Sequence, residues 1–221
     1  MADHMIKMSE VPKGQRYQQF KDYYRIPLIC ALVGVIMVIS ILKSTVFAPK
    51  PDAYLLVATK NDVSAEFTAS VETLYTENGN DFNGDEKNLI SITPVSYNPL
   101  QAKTDPEVGM AMQTKLMAVL STAENIMQIV DDDMFEYFSE QGLIGTYSDL
   151  GKSETEFGKA PSEIIKIPLS EIGFFKGEEF IGKTDGLYMT IRPRDGSQLG
   201  ENKKKIARYE EQIEAFLTIC K

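Results

Sequence analysis

The chain of 221 residues carries 23 Lys and Arg against 32 Asp and Glu, and six of the basic but only three of the acidic residues precede residue 49. Residues 49–221 therefore hold 17 basic and 29 acidic side chains, a balance that repels nucleic acid and anionic lipid and favours cations or basic peptides, although plain solubility also accounts for it. The only histidine, His4, lies outside that region, which excludes a Ser–His–Asp or Cys–His arrangement and a His-ligated zinc there.

An uncharged apolar run extends from Ile26 to Leu42, which is 17 residues, and continues past Lys43 as far as Ala48. Roughly 17 residues is the shortest helix that spans a bilayer, and Lys43 can snorkel its ammonium to the interface. A cleaved signal peptide has a shorter apolar core of about 7–15 residues, and a buried helix of a soluble domain is the other alternative. The run predicts a transmembrane anchor at residues 26–48.

The flanks of the run predict its orientation. Residues 1–25 carry five basic side chains against three acidic ones, and an excess of Lys and Arg marks the cytoplasmic side of a membrane protein. We therefore predict a single-pass cell-membrane protein with a cytoplasmic tail at residues 1–25 and an extracytoplasmic domain at residues 49–221. Cys30 lies in the apolar run and Cys220 at the far end, so we predict no internal disulfide and a domain that depends on its hydrophobic core.

Strands and helices alternate through the first half of the outer domain. Short apolar or alternating runs predict strands, and apolar residues three and four apart predict helices. Ser64 and Asp105 are natural N-caps, and Gly142 is a typical residue just beyond a helix C-terminus. The predicted elements are strands at 54–59, 88–97 and 126–130 and helices at 64–78, 105–125 and 132–142.

This order predicts an α/β fold with a mostly parallel sheet, because helices of this length return the chain to the same edge by right-handed crossovers. The second half is less regular. We predict a loop at 151–161, strands at 163–169 and 186–193, and an amphipathic closing helix at 202–221. The inward residues of that helix are Ile206, Ile213, Phe216 and Leu217.

The stretch "NDFNGDEKN" places oxygen ligands at the spacing of a calcium loop. Asp81, Asn83 and Asp85 match the first three ligand positions of an EF-hand. The pattern then breaks, because Glu86 stands where the loop needs glycine and Ile92 stands where it needs a bidentate glutamate. Asn, Asp and Gly are also what a tight turn requires. The sequence allows both a metal-free turn and a weak calcium site, and it indicates no other cofactor.

Three aspartates, Asp131, Asp132 and Asp133, follow the third predicted strand at its carboxyl end, where open α/β sheets bind ligands. One of them must cap the following helix, and the other two can be solvated neighbours. The same side chains could contact a polar ligand or a cation, so they are candidate ligand residues. A catalytic carboxylate pair would lack a neighbouring nucleophile.

Two further pairs are candidate sites. Arg192 and Arg194 in "TIRPRDG" could clamp a carboxylate, although arginines at a strand end also serve as surface ion partners. Phe135 and Phe138 lie three apart on the helix after the aspartates and share a face. We predict that Phe138 is buried in the core and that Phe135, nearer the strand end, faces a cleft.

Residues 125–150, "NIMQIVDDDMFEYFSEQGLIGTYSDL", resemble the first lobe of extracytoplasmic solute-binding proteins of the type II periplasmic-binding class. The shared features are a buried strand, a polar turn, a short aromatic helix, the Gly-Leu step at Gly142 and "DL" at Asp149. The resemblance covers residues 53–150, and the anchor before such a domain is similar to single-pass membrane proteins of Gram-positive bacteria. Since residues 49–221 are too few for two lobes, the resemblance implies one lobe or a reduced form and assigns no ligand residues.

These patterns predict a membrane-anchored extracytoplasmic domain that binds a small solute or a surface partner without catalysis. The first alternative is a structural or accessory subunit of a membrane protein complex. The second is an enzyme with a metal held by Asp131–Asp133. A polar cleft at the strand ends would favour solute binding, and a flat apolar patch would favour a complex.

Overall fold

The computed structural model describes residues 12, 14–15, 17, 25–46, 49–122, 124–194 and 203–220, so most of the predicted tail lies outside the described residues. The chain divides into two compact units, Met1–Pro49 and Lys50–Lys221. In the first unit, helix α1 spans Arg25–Val46, and its side chains from Arg25 to Ile41 are exposed. Among the described residues, no helix combines the length and the apolar character that crossing a membrane requires.

The second unit is built on one sheet, which has five strands in the described part of the chain. The strands are β1 (Ala53–Thr59), β2 (Ile90–Ser96), β3 (Met127–Asp131), β4 (Ile167–Pro168) and β5 (Leu187–Ile191). Their order is β2-β1-β3-β5-β4, with β1 parallel to β2 and β3, and β5 antiparallel to β3 and β4. The α/β fold is confirmed, and the sheet is mixed because an irregular connection, instead of a crossover helix, leads into β5.

The described part of the second unit has five α-helices. They are α2 (Ala65–Asn78), α3 (Pro99–Thr104), α4 (Pro106–Ser121), α5 (Asp132–Glu140) and α6 (Lys203–Cys220). The side chains of Ser64 and Asp105 accept from the backbone N–H groups of Phe67 and Val108, each at 3.2 Å, which confirms both predicted caps. Helix α3 was not predicted, because six residues are too few to show a helical period.

Helices cover both faces of the sheet, so the second unit has three layers. On one face, Leu55 and Val57 of β1 pack with α2, α6 and the irregular chain around residues 169–180. On the other face, Leu56 and Ala58 pack with α4 and α5. The closing helix turns inward as predicted, with Ile213, Phe216 and Leu217 buried and Ile206 half-buried. Cys220 is a free thiol packed against the first of these clusters, and burial raises its pKa.

The second half differs most from the predicted elements. The predicted loop at 151–161 overlaps a 3-10 segment, Tyr147–Phe157, that is broken at Gly151, where φ is 63°. The strand predicted at 163–169 shrinks to Ile167–Pro168. Pro168 has no N–H to donate to a ladder, and Ile164 instead forms an isolated bridge with Thr146. Tertiary contacts therefore override the apolar pattern here.

Truncation of the two phenylalanines of α5 should separate their roles. Phe138 is fully buried, as predicted, whereas Phe135 is half-buried. We expect Phe138→Ala to lower the free energy of unfolding by about 3–5 kcal/mol and Phe135→Ala by about 1–2 kcal/mol. Urea unfolding of the full chain, followed by far-UV circular dichroism, measures both. Equal losses for the two variants would contradict the assignment.

Candidate functional site

The carboxyl ends of β1 and β3 form a crevice in the second unit. These strands are parallel neighbours, yet the chain leaves β1 toward α2 on one face and leaves β3 toward α5 on the other. Adjacent strands whose connections diverge in this way leave an opening between them, and such switch points are where open α/β sheets bind ligands. The topology therefore identifies a candidate ligand site.

A pocket of about 490 Å³ occupies this position, which is within the range of small-molecule sites. Its walls come from the loop after β1, the end of β3 and the turn before β5. We call it the switch-point crevice. Its lining residues are Thr59, Asn61, Asp62, Val63, Ser64, Phe67, Asp131, Gly182, Lys183, Asp185, Gly186 and Leu187.

Asp131 ties the two sides of the crevice together. One carboxylate oxygen accepts from the backbone N–H of Met134 at 2.9 Å and so caps α5. The other oxygen accepts from the backbone N–H of Lys60, directly after β1, at 2.5 Å. The predicted cap is thus Asp131 itself, and its charge also suits the N-terminus of the helix.

The neighbouring aspartates are paired with lysines. Asp133 lies 3.0 Å from Lys60 Nζ, and Asp132 lies 2.8 Å from Lys166 Nζ. The hydrogen bond from Lys166 lowers the pKa of the Asp132 carboxyl, desolvation opposes this, and the charge of Lys166 and the hydroxyl of Tyr188 add to the lowering. The structure thus brings all three aspartates to one turn, but only Asp131 lines the crevice.

Phe135 lies outside the crevice lining. Lys166 Nζ sits 4.5 Å from the centroid of the Phe135 ring and 4.0 Å from that of Tyr188. The two rings are 6.4 Å apart. A cation between two aromatic rings is a favourable arrangement. Together with the Asp132 ion pair, these contacts link Lys166, directly before the edge strand β4, to α5.

The two arginines lie beyond the other end of β5, away from the aspartates. Arg192 is buried, and its Nη1 donates to the carbonyl of Leu120 at 3.0 Å near the C-terminus of α4. Burial lowers the pKa of its guanidinium. Arg194 is exposed, and its backbone N–H donates to Asp149 at 3.3 Å. The structure therefore does not bring Arg192 and Arg194 to the crevice.

The calcium-like stretch forms a hydrogen-bonded turn before β2. The Asp81 carboxylate accepts from the backbone N–H groups of Gly84 at 2.7 Å and Glu86 at 2.8 Å, and Asn83 Oδ1 accepts from Asp85 N–H at 3.0 Å. Desolvation raises the pKa of Asp81, but these backbone donors outweigh it and lower the pKa. Among the described residues, no group of three or more His, Cys, Asp or Glu side chains is arranged to hold a metal ion.

Sequence reasoning missed most of the crevice. Asn61 and Asp62 follow β1 as the aspartates follow β3, so the rule that singled out Asp131 also applies to them. The segment from Gly182 to Leu187 arrives from more than fifty residues further along the chain, and both of its glycines have a φ of 70°. No local sequence pattern predicts that this segment lies beside the ends of β1 and β3.

Comparison of the chain with protein-family models, with curated proteins and with solved structures finds no match.

The Asp132–Lys166 contact generates a titration prediction. In Lys166→Met, the aliphatic stem still covers the rings but the donor is gone, so the pKa of Asp132 should rise toward the ordinary value of about 3.9. The pKa of Asp132 is lower in the folded than in the unfolded state. The contact with Lys166 therefore stabilises the fold at pH values above the unfolded-state pKa, and this stabilisation is lost as the pH falls through the folded-state pKa. Carboxyl ¹³C NMR titration measures the shift. Lys159→Met, which removes a different lysine–carboxylate pair, is the control, and an unchanged Asp132 in Lys166→Met would contradict the cause given.

The Asp81 turn generates a metal prediction. Its side-chain oxygens already accept backbone N–H groups, so we expect titration calorimetry with calcium to show no site tighter than about 1 mM, the weak limit of extracellular calcium modules. A micromolar site that disappears in Asp81→Ala would show that the turn is a calcium site.

Proposed function

We propose that the second unit is a binding domain whose switch-point crevice takes a small polar solute without catalysing a reaction. The observation that carries this proposal is the position of the 490 Å³ pocket at the point where the connections of β1 and β3 diverge. A concave site with an apolar floor and a few convergent polar groups is the usual form of a solute site.

The walls of the crevice support binding to a preformed site. Asp131 holds both strand ends through two backbone hydrogen bonds, and Thr59 Oγ1 donates to the carbonyl of Asn61 at 2.6 Å. Ser64 caps α2 at the rim. Since these groups are fixed before a solute arrives, little ordering entropy remains to be lost on binding.

The side chains of the acidic turn support a role without catalysis. Asp131 is engaged by two backbone donors, and Asp132 and Asp133 are each engaged by a lysine. A general acid or base needs freedom to exchange its proton with a substrate, and these contacts restrict it.

The three parallel strands with helices on both faces also fit the proposal that the unit is one lobe of the type II periplasmic-binding class. A single lobe presents its strand-end crevice to solvent instead of closing a second lobe over it. We therefore propose an open site. Fold resemblance alone does not imply transport.

We further propose that α1 anchors this domain in the cell membrane, with the second unit outside. In the sequence the apolar run extends from Ile26 through Leu42 and continues past Lys43. The complete run reaches the roughly 17 residues that a membrane helix needs. Exposed side chains such as Ile26, Leu32 and Ile36 suit lipid better than water.

A second candidate function, an accessory subunit of a membrane complex, is favoured by one surface of α4. Met110 is 70 % exposed and Met117 is 49 % exposed. Flexible methionine side chains suit a protein contact. This surface is separate from the lining of the crevice, so the two functions predict different binding sites.

A solute screen tests the crevice. The full chain in nanodiscs is exposed to a panel of amino acids, amines, sugars and carboxylic acids, and the ¹³C methyl resonances of Val63 and Leu187 report occupancy because both residues line the crevice. We expect at least one solute to shift both resonances. Absence of any shift across the panel would contradict the proposal.

Two matched variants make this test specific. Asn61→Trp places a large ring across the crevice, and the backbone carbonyl that accepts from Thr59 is retained. We expect it to abolish binding. Asn78→Trp introduces the same ring on the exposed far end of α2 and should leave binding unchanged. Binding that survives Asn61→Trp would place the solute elsewhere.

The topology is tested separately by protease treatment of intact cells. Residues 1–24 should be protected, and residues after Pro49 should be digested, because the basic flank predicts a cytoplasmic N-terminus. Detergent permeabilisation is the control that should expose the tail. The reverse pattern, or a mature N-terminus after residue 40, would contradict the anchor.

A further inference from the structure

The charges that line the switch-point crevice are unbalanced. Among the described residues, its titratable lining side chains are the carboxylates Asp62, Asp131 and Asp185 and the ammonium of Lys183. Lys183 is already paired, 3.1 Å from Glu66. The crevice therefore carries an excess of negative charge.

The three carboxylates differ in how far neighbouring groups of the protein compensate their negative charge. Asp131 sits at the N-terminus of α5 and accepts two backbone N–H groups, so its charge is partly compensated. Within the described residues, Asp62 accepts from the neutral hydroxyl of Ser96 and from no other group. Asp185 forms no ion pair or side-chain hydrogen bond with the part of the chain that the structure describes. Asp62 and Asp185 are thus the charges available to a ligand.

The floor of the crevice is lined by apolar side chains, and the volume of the crevice is small. Phe67 is fully buried, and Val63 and Leu187 are half-buried against the same core cluster. A ligand in the crevice would rest an apolar body on the accessible parts of Val63 and Leu187, where burial is favourable, and direct a charged group toward the carboxylates. The volume of about 490 Å³ limits it to a small molecule.

We propose that the solute of the switch-point crevice is a small organic cation, an alkylamine or a quaternary ammonium with a short apolar body. This inference rests on the proposed function of the same crevice. Asp62 and Asp185 supply the attraction, and Val63 and Leu187 receive the apolar body. The excess acidic charge of residues 49–221 attracts cations before contact.

Probes that are matched in shape but differ in charge test the proposal on the full chain in nanodiscs. Choline is compared with 3,3-dimethylbutan-1-ol, its neutral isostere, and butylammonium is compared with butan-1-ol and butyrate. We expect each cation to shift the methyl resonances of Val63 and Leu187 with an affinity at least about tenfold higher than its neutral isostere, which one nearby charge can supply. Added salt should weaken the cations and leave the alcohols unchanged.

Three charge variants identify the groups responsible. Asp62→Asn and Asp185→Asn keep the shape of the side chain and remove its charge, so each should weaken cation binding several-fold and leave the alcohols unaffected. Glu77→Gln removes the same charge from an exposed position at the far end of α2 and should change nothing. Cation binding that is insensitive to both aspartate variants would overturn the inference.

The outcomes separate the inference from the function on which it rests. If a neutral or anionic solute binds in the crevice as tightly as the cations, or binds when they do not, the cation inference fails and solute binding stands. If no solute of either panel shifts Val63 and Leu187, both fail. Circular dichroism of each variant establishes that it is folded before its binding is compared.

Discussion

The parallel pairing of β1 with a strand on each side is the constraint on which the second unit depends. Every side chain from Leu55 to Thr59 is buried, so the backbone groups of this strand must find their partners within the protein. At its start, Tyr54 N–H donates to Gln212 Oε1 at 2.8 Å, and Gln212 Nε2 donates to the carbonyl of Asp52 at 2.7 Å. The closing helix thus completes the amino end of β1, and the carboxyl end, where Lys60 N–H donates to Asp131, borders the crevice.

Asp52 extends this constraint to the neighbouring turn. Its buried carboxylate accepts from the backbone N–H groups of Phe82, Asn83 and Leu89 at 2.9, 3.2 and 3.0 Å. The Asp52 carboxylate therefore stabilises the turn that contains Asp81, in addition to the hydrogen bonds within the turn. Each such backbone donor, left unsatisfied, would cost about 1–3 kcal/mol. These contacts hold the turn before β2 in place.

The first half of the second unit could be predicted because its signals are local. Ser64 and Asp105 cap helices that begin one residue later, and Asp131 caps α5 at the turn where a cap was expected. In the second half, the last strand and the closing helix were also predicted, but the 3-10 segments were not, because contacts distant in sequence hold them. Phe175 and Phe180 each pack on the ring of Phe67, about one hundred residues earlier, with centroids 6.3 and 5.7 Å away. The part of the crevice that contains Asp185 could not be predicted for the same reason, because it is distant in sequence from the residues that follow β1 and β3.

The two faces of the sheet differ in polarity, and this difference bears on the crevice. On the face covered by α4 and α5, Gln128 and Thr190 lie opposite each other, and Gln128 Nε2, Gln128 Oε1 and Thr190 Oγ1 have no hydrogen-bond partner among the described residues. Buried polar atoms of this kind reduce the stability of the layer above them. The face covered by α2 and α6 instead carries the stacked aromatic rings around Phe67. The apolar residues that line the crevice, Val63, Phe67 and Leu187, belong to the cluster on this second face.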